Sequence, residues 1–321
     1  MTSKPETRKA PGGRQKSLHA FTNQPSFDED REFLARARAR NKKSKTIAGI
    51  PRPFMKWAGG KRQLLGQFDP FIPAKFNKYI EPFVGGGAMF FYLLPERAVL
   101  MDINPELINI YKVIQHDVDA LIASLKRHEN DETYYYKMRD IDLDKDAFAA
   151  WTDVEKASRN IYMNHVCYNG LYRVNSEGHF NVPFGDYKNP ILCDEENLRA
   201  INKALKGIEL HVASFEKCLE YAEKGDFIYL DPPYVPLSLT ASFTGYTKES
   251  FGPDDQRKLL AVMKELDRRG CKVLLSNSYC DFVLDLYKDF KIETIMANRA
   301  INSVGSKRGK IKEVLIRNEF T

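Results

Sequence analysis

No apolar run in the 321-residue chain approaches the roughly 20 residues needed to cross a bilayer, which argues against a membrane span. The opening residues lack the apolar core of a signal peptide, so the expected location is the cytoplasm. Cysteine is sparse. Cys167, Cys193, Cys218, Cys271 and Cys280 form no CxxC and make an odd count, which predicts reduced thiols and argues against a disulfide scaffold or a zinc site. The six histidines are equally dispersed, without the paired spacing of ligands, so no metal is expected. There is no internal repeat. Surplus charge is also missing from most of the chain: residues 1–50 hold 12 Lys/Arg and 5 Asp/Glu, a net of +7, leaving 37 basic and 38 acidic residues elsewhere, a net of −1. The overall charge of +6 therefore describes a tail, not the body.

What is present is a chain 43% hydrophobic, long enough for a sizeable core or two domains. Residues 1–25 are polar and rich in Pro, Gly and Ser, the composition of disorder, and residues 29–43 could form a short basic helix on a polyanion. From residue 53 onward, short β-rich runs alternate with helical patterns. The strand candidates span 78–83, 97–103, 208–213, 226–231, 271–277, 290–297 and 311–318. Helices are expected between them, for example over 88–94 and 253–269, the latter opening on Pro and acids and stopping at Gly270. Alternation of this kind predicts an α/β fold, a mostly parallel sheet covered on both faces. The last two strands have no helix between them and should pair antiparallel at an edge, giving seven strands with one reversed.

Residues 115–205 break the rhythm, with helical patterns and one odd stretch, "YNGLYRVNSEGHFNVPFGDYKNP" (168–190). They read as an inserted helical domain carrying a hairpin or exposed loop, which leaves 51–114 and 206–321 as the sheet domain and 1–50 as an extension.

Four stretches carry chemistry. "YIEPFVGGGAMFF" (79–91) is a strand, a glycine turn and a helix start, and Gly85, Gly86 and Gly87 allow a ligand close to helix N–H groups. "VLMDIN" (99–104) then places Asp102 at the end of the next strand, where an acid commonly accepts from ribose hydroxyls; a helix cap ahead of Asn104-Pro105 is the alternative. "FMKWAGGKR" (54–62) is not a P-loop, since the upstream glycine is absent and Arg62 replaces Ser/Thr. It offers an aromatic plane, Trp57, and a cation, Lys61, or simply a buried Trp beside a surface Lys. "FIYLDPPYVP" (227–236) ends an apolar strand with Asp231, Pro232, Pro233 and Tyr234. The prolines stop the strand and hold a carboxylate and a ring at its carboxyl end, where open α/β sheets bind ligands.

KWAGGK, EPFVGGG, MDIN, FNVPFG and DPPY, in that order from about residue 53 to 317, closely resemble the Dam-like DNA adenine methyltransferases, the D12 class. The resemblance implies a Rossmann-like methyltransferase sheet with an inserted target-recognition domain. It implies S-adenosylmethionine as methyl donor, held by Trp57, Lys61, Gly85–Gly87, Asp102, Phe215 and Asp231. Asp231 and the Pro232 carbonyl would accept the two hydrogens of adenine's amino group, and Tyr234 would stack on a base flipped from duplex DNA. Ser214-Phe215 departs from the Asp-Phe of many relatives. Asn169, Leu171, Arg173 and Pro183 match the hairpin with which GATC-methylating relatives read their site, Arg173 being suited to guanine. Loops 235–251 and 298–310, with Arg299, Lys307 and Arg308, would clamp the backbone. The resemblance leaves open a solitary enzyme or one paired with a restriction endonuclease. Rival readings are RNA adenine or DNA cytosine amino methylation, or an idle DNA-binding regulator, against which the intact DPPY argues.

Overall fold

The structure, a computed structural model, describes residues 49–57, 59–235, 251–298 and 310–320. Seven strands build one sheet: β1 (Tyr79–Glu81), β2 (Ala98–Asp102), β3 (Glu209–Val212), β4 (Phe227–Leu230), β5 (Lys272–Ser278), β6 (Lys291–Asn298) and β7 (Lys310–Arg317). Their order is β3-β2-β1-β4-β5-β7-β6. The first five strands run parallel, and β7 is antiparallel to both β5 and β6. This is the expected Rossmann-like α/β sheet, and each of the seven strands falls on its sequence candidate.

Alternation along the strands divides the core. Tyr79, Leu100, Phe227, Tyr229 and Leu274 face one layer, which includes helices α1 (Ala88–Leu93) and α2 (Pro105–His116). Ile80, Val99, Met101, Ile228, Leu230, Val273 and Leu275 face the other, which includes the long helix over Pro253–Arg268. Burying each such side chain fully stabilises the fold by roughly 1.5–3 kcal/mol. Strands buried on both faces read as continuous apolar runs, which is why "FIYL" does not alternate.

As expected, β6 and β7 pair antiparallel at one edge of the sheet and one strand is reversed; within that pair β7 is the inner strand, lying between β5 and β6. Val314, Leu315 and Ile316 are fully buried and need partners on both sides. β6 carries Lys291, Glu293 and Thr294 among its apolar residues, a pattern that tolerates an edge. Gln67 covers part of that edge, its side chain donating to the Met296 carbonyl at 2.9 Å and accepting from the Met296 N–H at 3.0 Å.

Within 115–205 the described chain is helical apart from an irregular hairpin, closed by single bridges at Val174–Phe180 and Cys167–Phe184. Helix α3 (Asp153–Val166) opens with a capping box, Thr152 and Glu155, and has two apolar faces. Ala157 and Ile161 join the sheet-facing core, whereas Tyr162, Met163 and Val166 join a separate cluster with Tyr135, Tyr172, Phe180 and Val182. The five cysteines are free, Cys167, Cys218 and Cys271 being buried. Among the described residues no helix is long and apolar enough to cross a membrane.

Candidate active site

The strand order reverses between β1 and β4, and ligands of open α/β sheets bind at the carboxyl ends of strands beside such a switch. β1 leads there into the glycine turn, β2 ends on Asp102, and β4 is followed by Asp231.

Asp102 is not the helix cap. That role falls to Asn104, whose side chain accepts from the N–H groups of Glu106 and Leu107 at 3.0 and 3.2 Å. The Asp102 carboxylate instead accepts from Gly85 N–H at 3.1 Å and Asn104 N–H at 3.0 Å. Burial pushes its pKa up to about 6, against the opposing pull of those backbone donors. The turn it secures needs glycine: Gly85 and Gly87 have φ of +47° and +69°. A Cβ on Gly85 would meet the Trp57 ring at 2.8 Å, and one on Gly87 the Tyr111 hydroxyl at 2.6 Å. Below the turn, Glu81 is buried with Oε2 lacking a hydrogen-bond partner among the described residues, and burial raises its pKa well above the ordinary carboxylate value.

Trp57 joins the turn to the insertion, its ring lying 5.2 Å from that of Tyr172. The backbone there is clamped by two consecutive residues of α3. Asn164 accepts from Lys56 N–H at 2.8 Å and donates to the Lys56 and Gly170 carbonyls at 2.9 Å each, while a ring nitrogen of His165 sits 2.9 Å from the Phe54 carbonyl. On the opposite wall Phe215 stacks on Phe83 at 5.4 Å, with Phe251 edge-on to Phe83. Ser214, in the place of an expected acid, donates to Glu216.

Asp231 lies in a buried polar cluster. Lys61 is only 4% exposed, and its ammonium is 2.9 Å from Asp231 Oδ1 and 4.4 Å from the centroid of Tyr234. It is therefore not a surface lysine, and it contacts the catalytic candidate directly. Ser276, on β5, donates to the same Oδ1 at 2.7 Å and lies 3.0 Å from the Tyr229 hydroxyl. The Tyr234 hydroxyl donates to Glu313 of β7 at 2.9 Å. The segment after β4 is fixed from the helix over Pro253–Arg268 and from β5 as well: Gln256 donates to the Pro233 carbonyl at 3.3 Å, and Ser278 to the Val235 carbonyl at 2.6 Å.

The family profile described as D12 class N6 adenine-specific DNA methyltransferase matches residues 57–301, which include strands β1 to β6 and the Asp102 and Asp231 sites but not β7 with its Glu313. The chain belongs to this family. It is 46% identical over 271 residues to the Type II methyltransferase M1.LlaDCHI of Lactococcus lactis subsp. cremoris, an alignment covering 83% of this chain and 95% of that protein. It is 45% identical over 287 residues to the Type II methyltransferase M.MjaIII of Methanocaldococcus jannaschii, covering 83% and 99%. With a DNA adenine methylase of Haemophilus influenzae the identity is 37% over 271 residues, covering 82% and 92%.

In this D12-class chain the hairpin residues singled out from sequence lie together. Asn169 (φ +59°), Arg173 and Pro183 are exposed, and Leu171 is half-buried. The Arg173 guanidinium is braced within the hairpin, Nε donating to Asn181 Oδ1 at 2.7 Å and Nη2 to the Asn181 carbonyl at 3.0 Å. Arg299, Lys307 and Arg308 lie outside the described residues, as do most of the two loops and residues 1–48. Among the described residues no group of three or more His, Cys, Asp or Glu could hold a metal ion. Sequence reading missed Ser276, Gln256 and Glu313. All three reach the DPPY segment through the fold, and no local pattern marks them.

Proposed function

We propose that this D12-class enzyme methylates the exocyclic amino group of an adenine turned out of duplex DNA, with S-adenosylmethionine as donor and GATC as its site. The observation that carries this reading is the Asp231 cluster beside the Asp102 glycine turn. The residues present suit the cofactor: Asp102 offers a carboxylate for ribose hydroxyls, the glycines admit close approach, and the orphaned Glu81 oxygen is an acceptor for a donor group. Trp57 and Phe215 supply apolar walls. When bound, the cofactor supplies a methyl already activated on sulfonium, so no metal and no protein nucleophile enter the scheme.

The chain's own residues prepare the acceptor. Adenine's amino lone pair is delocalised into the ring and is a poor nucleophile. Ser276 and Lys61 hold Oδ1 of Asp231, which orients Oδ2 for one N–H of the amino group; the Pro232 carbonyl takes the other. These acceptors favour a pyramidal nitrogen and stabilise the charge that develops on it. Tyr234 stacks on the base, which helps offset the few kcal/mol, roughly, of unstacking.

Residues 115–205 act as the target-recognition unit and 51–114 with 206–321 as the catalytic unit, in the cytoplasm, with or without a restriction endonuclease of the same specificity. Asn181 occupies Nε and one Nη2 hydrogen of Arg173, and the Nη1–Nη2 edge remains for the two acceptors of guanine. Leu171 and Pro183 offer apolar contact to a thymine methyl, and Asn169, Arg299, Lys307 and Arg308 contact the backbone. The test is to map methylated adenines by sequencing. Wild type should mark GATC, and Asp231→Ala should mark nothing while still binding DNA through its phosphate contacts. Arg173→Ala should lose about 1–3 kcal/mol of discrimination at guanine. Marks outside GATC would refute the site, and near-normal turnover in Asp231→Ala would refute the mechanism.

A further inference from the structure

Glu313 is a carboxylate in the interior of a sheet. It sits on β7 opposite Ser278 of β5 and Ile295 of β6, is 9% exposed, and is followed by three fully buried apolar residues. Burial pushes its pKa up, with Asp231 adding to that effect and Lys61 and the Tyr234 hydroxyl opposing it. An acid here is costly, and an apolar residue of similar volume would serve the sheet at least as well. Among the described residues its hydrogen-bond donor is the Tyr234 hydroxyl, 79 positions away in the chain. The other end of that ring is fixed by the backbone that Gln256 and Ser278 hold.

We infer that Glu313 is a positioning residue for the target base: it fixes the tilt of the Tyr234 ring, and so the plane on which adenine stacks. This rests on the proposed stacking role of Tyr234. A phenol hinged only at its Cβ would rotate about its side-chain torsions, and misplacement of a reacting group by about 1 Å can cost on the order of a hundredfold in rate. The bond from Glu313 removes that freedom from the far end of the ring. Lys61 stands 4.4 Å from the centroid of the same ring while paired with Asp231 at 2.9 Å.

The experiment is a double-mutant cycle on kcat with a duplex carrying one site. Glu313→Ala and Tyr234→Phe each break the same bond, so each should lower kcat about tenfold or more with KM for DNA changed less than threefold. The double variant should be no worse than either single one. Glu313→Gln keeps an acceptor oxygen and should stay within about threefold of wild type. If Glu313→Ala is unfolded by circular dichroism, Glu313→Leu, closer in volume to the carboxylate, replaces it with the same expectations. The inference is overturned if Glu313→Ala, or Glu313→Leu in its place, keeps kcat within twofold of wild type, or if its loss multiplies in the Tyr234→Phe background. Wild-type adenine methylation, abolished by Asp231→Ala, is the control for the reading beneath it. Failure of that control defeats both, whereas an indifferent Glu313 defeats the inference alone.

Discussion

Asp102 illustrates how one residue ties the fold to the chemistry. Its folded pKa, raised by burial from 3.8 to about 6, means that between those values the native state holds a proton the unfolded chain has released. Stability from this group therefore falls as pH rises through that window and is level above it. Under the proposed cofactor contact, ligand binding has the opposite sign, because ribose hydroxyls would donate to the ionised form. Affinity for S-adenosylmethionine is expected to be constant above about pH 7 and to fall about tenfold per unit well below the folded pKa. Calorimetric titration between about pH 5 and 8 checks it. Asp102→Asn should bind weakly with that pH dependence removed, and a wild-type affinity unchanged at the acid end would exclude the assigned ribose contact.

At the scale of elements, the turn after β1 is the least substitutable part of the pocket. Gly87 combines φ of +69° with a Cβ position 2.6 Å from the Tyr111 hydroxyl, itself bonded to the Gly85 carbonyl at 3.0 Å. Gly178, at the tip of the hairpin, has φ of +95° but open space around it. Gly178→Ala should cost only backbone strain, about 1 kcal/mol. Gly87→Ala should cost about 2 kcal/mol more, since the buried Tyr111 must also move. Denaturant unfolding of the two variants decides it; equal losses would mean that the turn yields easily. The same elements show what could be read in advance. β4 and the DPPY segment were legible because strand, acid, prolines and ring are adjacent in sequence. The helix over Pro253–Arg268 was legible because its stop and start signals are local. The position of β7 was not, since a hairpin's sequence order does not say which of its strands faces the sheet. Glu313 and Ser276 were invisible for the same reason, as their partners are set by strand register.

For the whole molecule, charge and fold are segregated: the extension carries +7 and the remainder −1. The first described residues already pack on the insertion, Arg52 pairing with Asp194 and its N–H bonding to Asn197. Removing residues 1–48 should thus leave a folded enzyme with unchanged kcat. Its DNA affinity should be weaker, and the dependence of log K on log salt shallower by about 0.9 for each phosphate that the extension no longer neutralises. Fluorescence anisotropy over a salt series measures that slope. An unaltered slope would mean that the extension does not reach DNA.

The insertion of β7 gives the order of synthesis a structural meaning. A ribosome delivers this strand after every other part of the sheet. Until then β5 has an unpaired border, and Tyr234 has no acceptor at its far end. A nascent or prematurely stopped chain would carry the complete DPPY motif and still lack the strand that braces it, with an open edge inviting aggregation. The last of these strands to be made thus completes both the pairing of β5 and the brace on Tyr234, so an unfinished polypeptide is poorly equipped for methyl transfer.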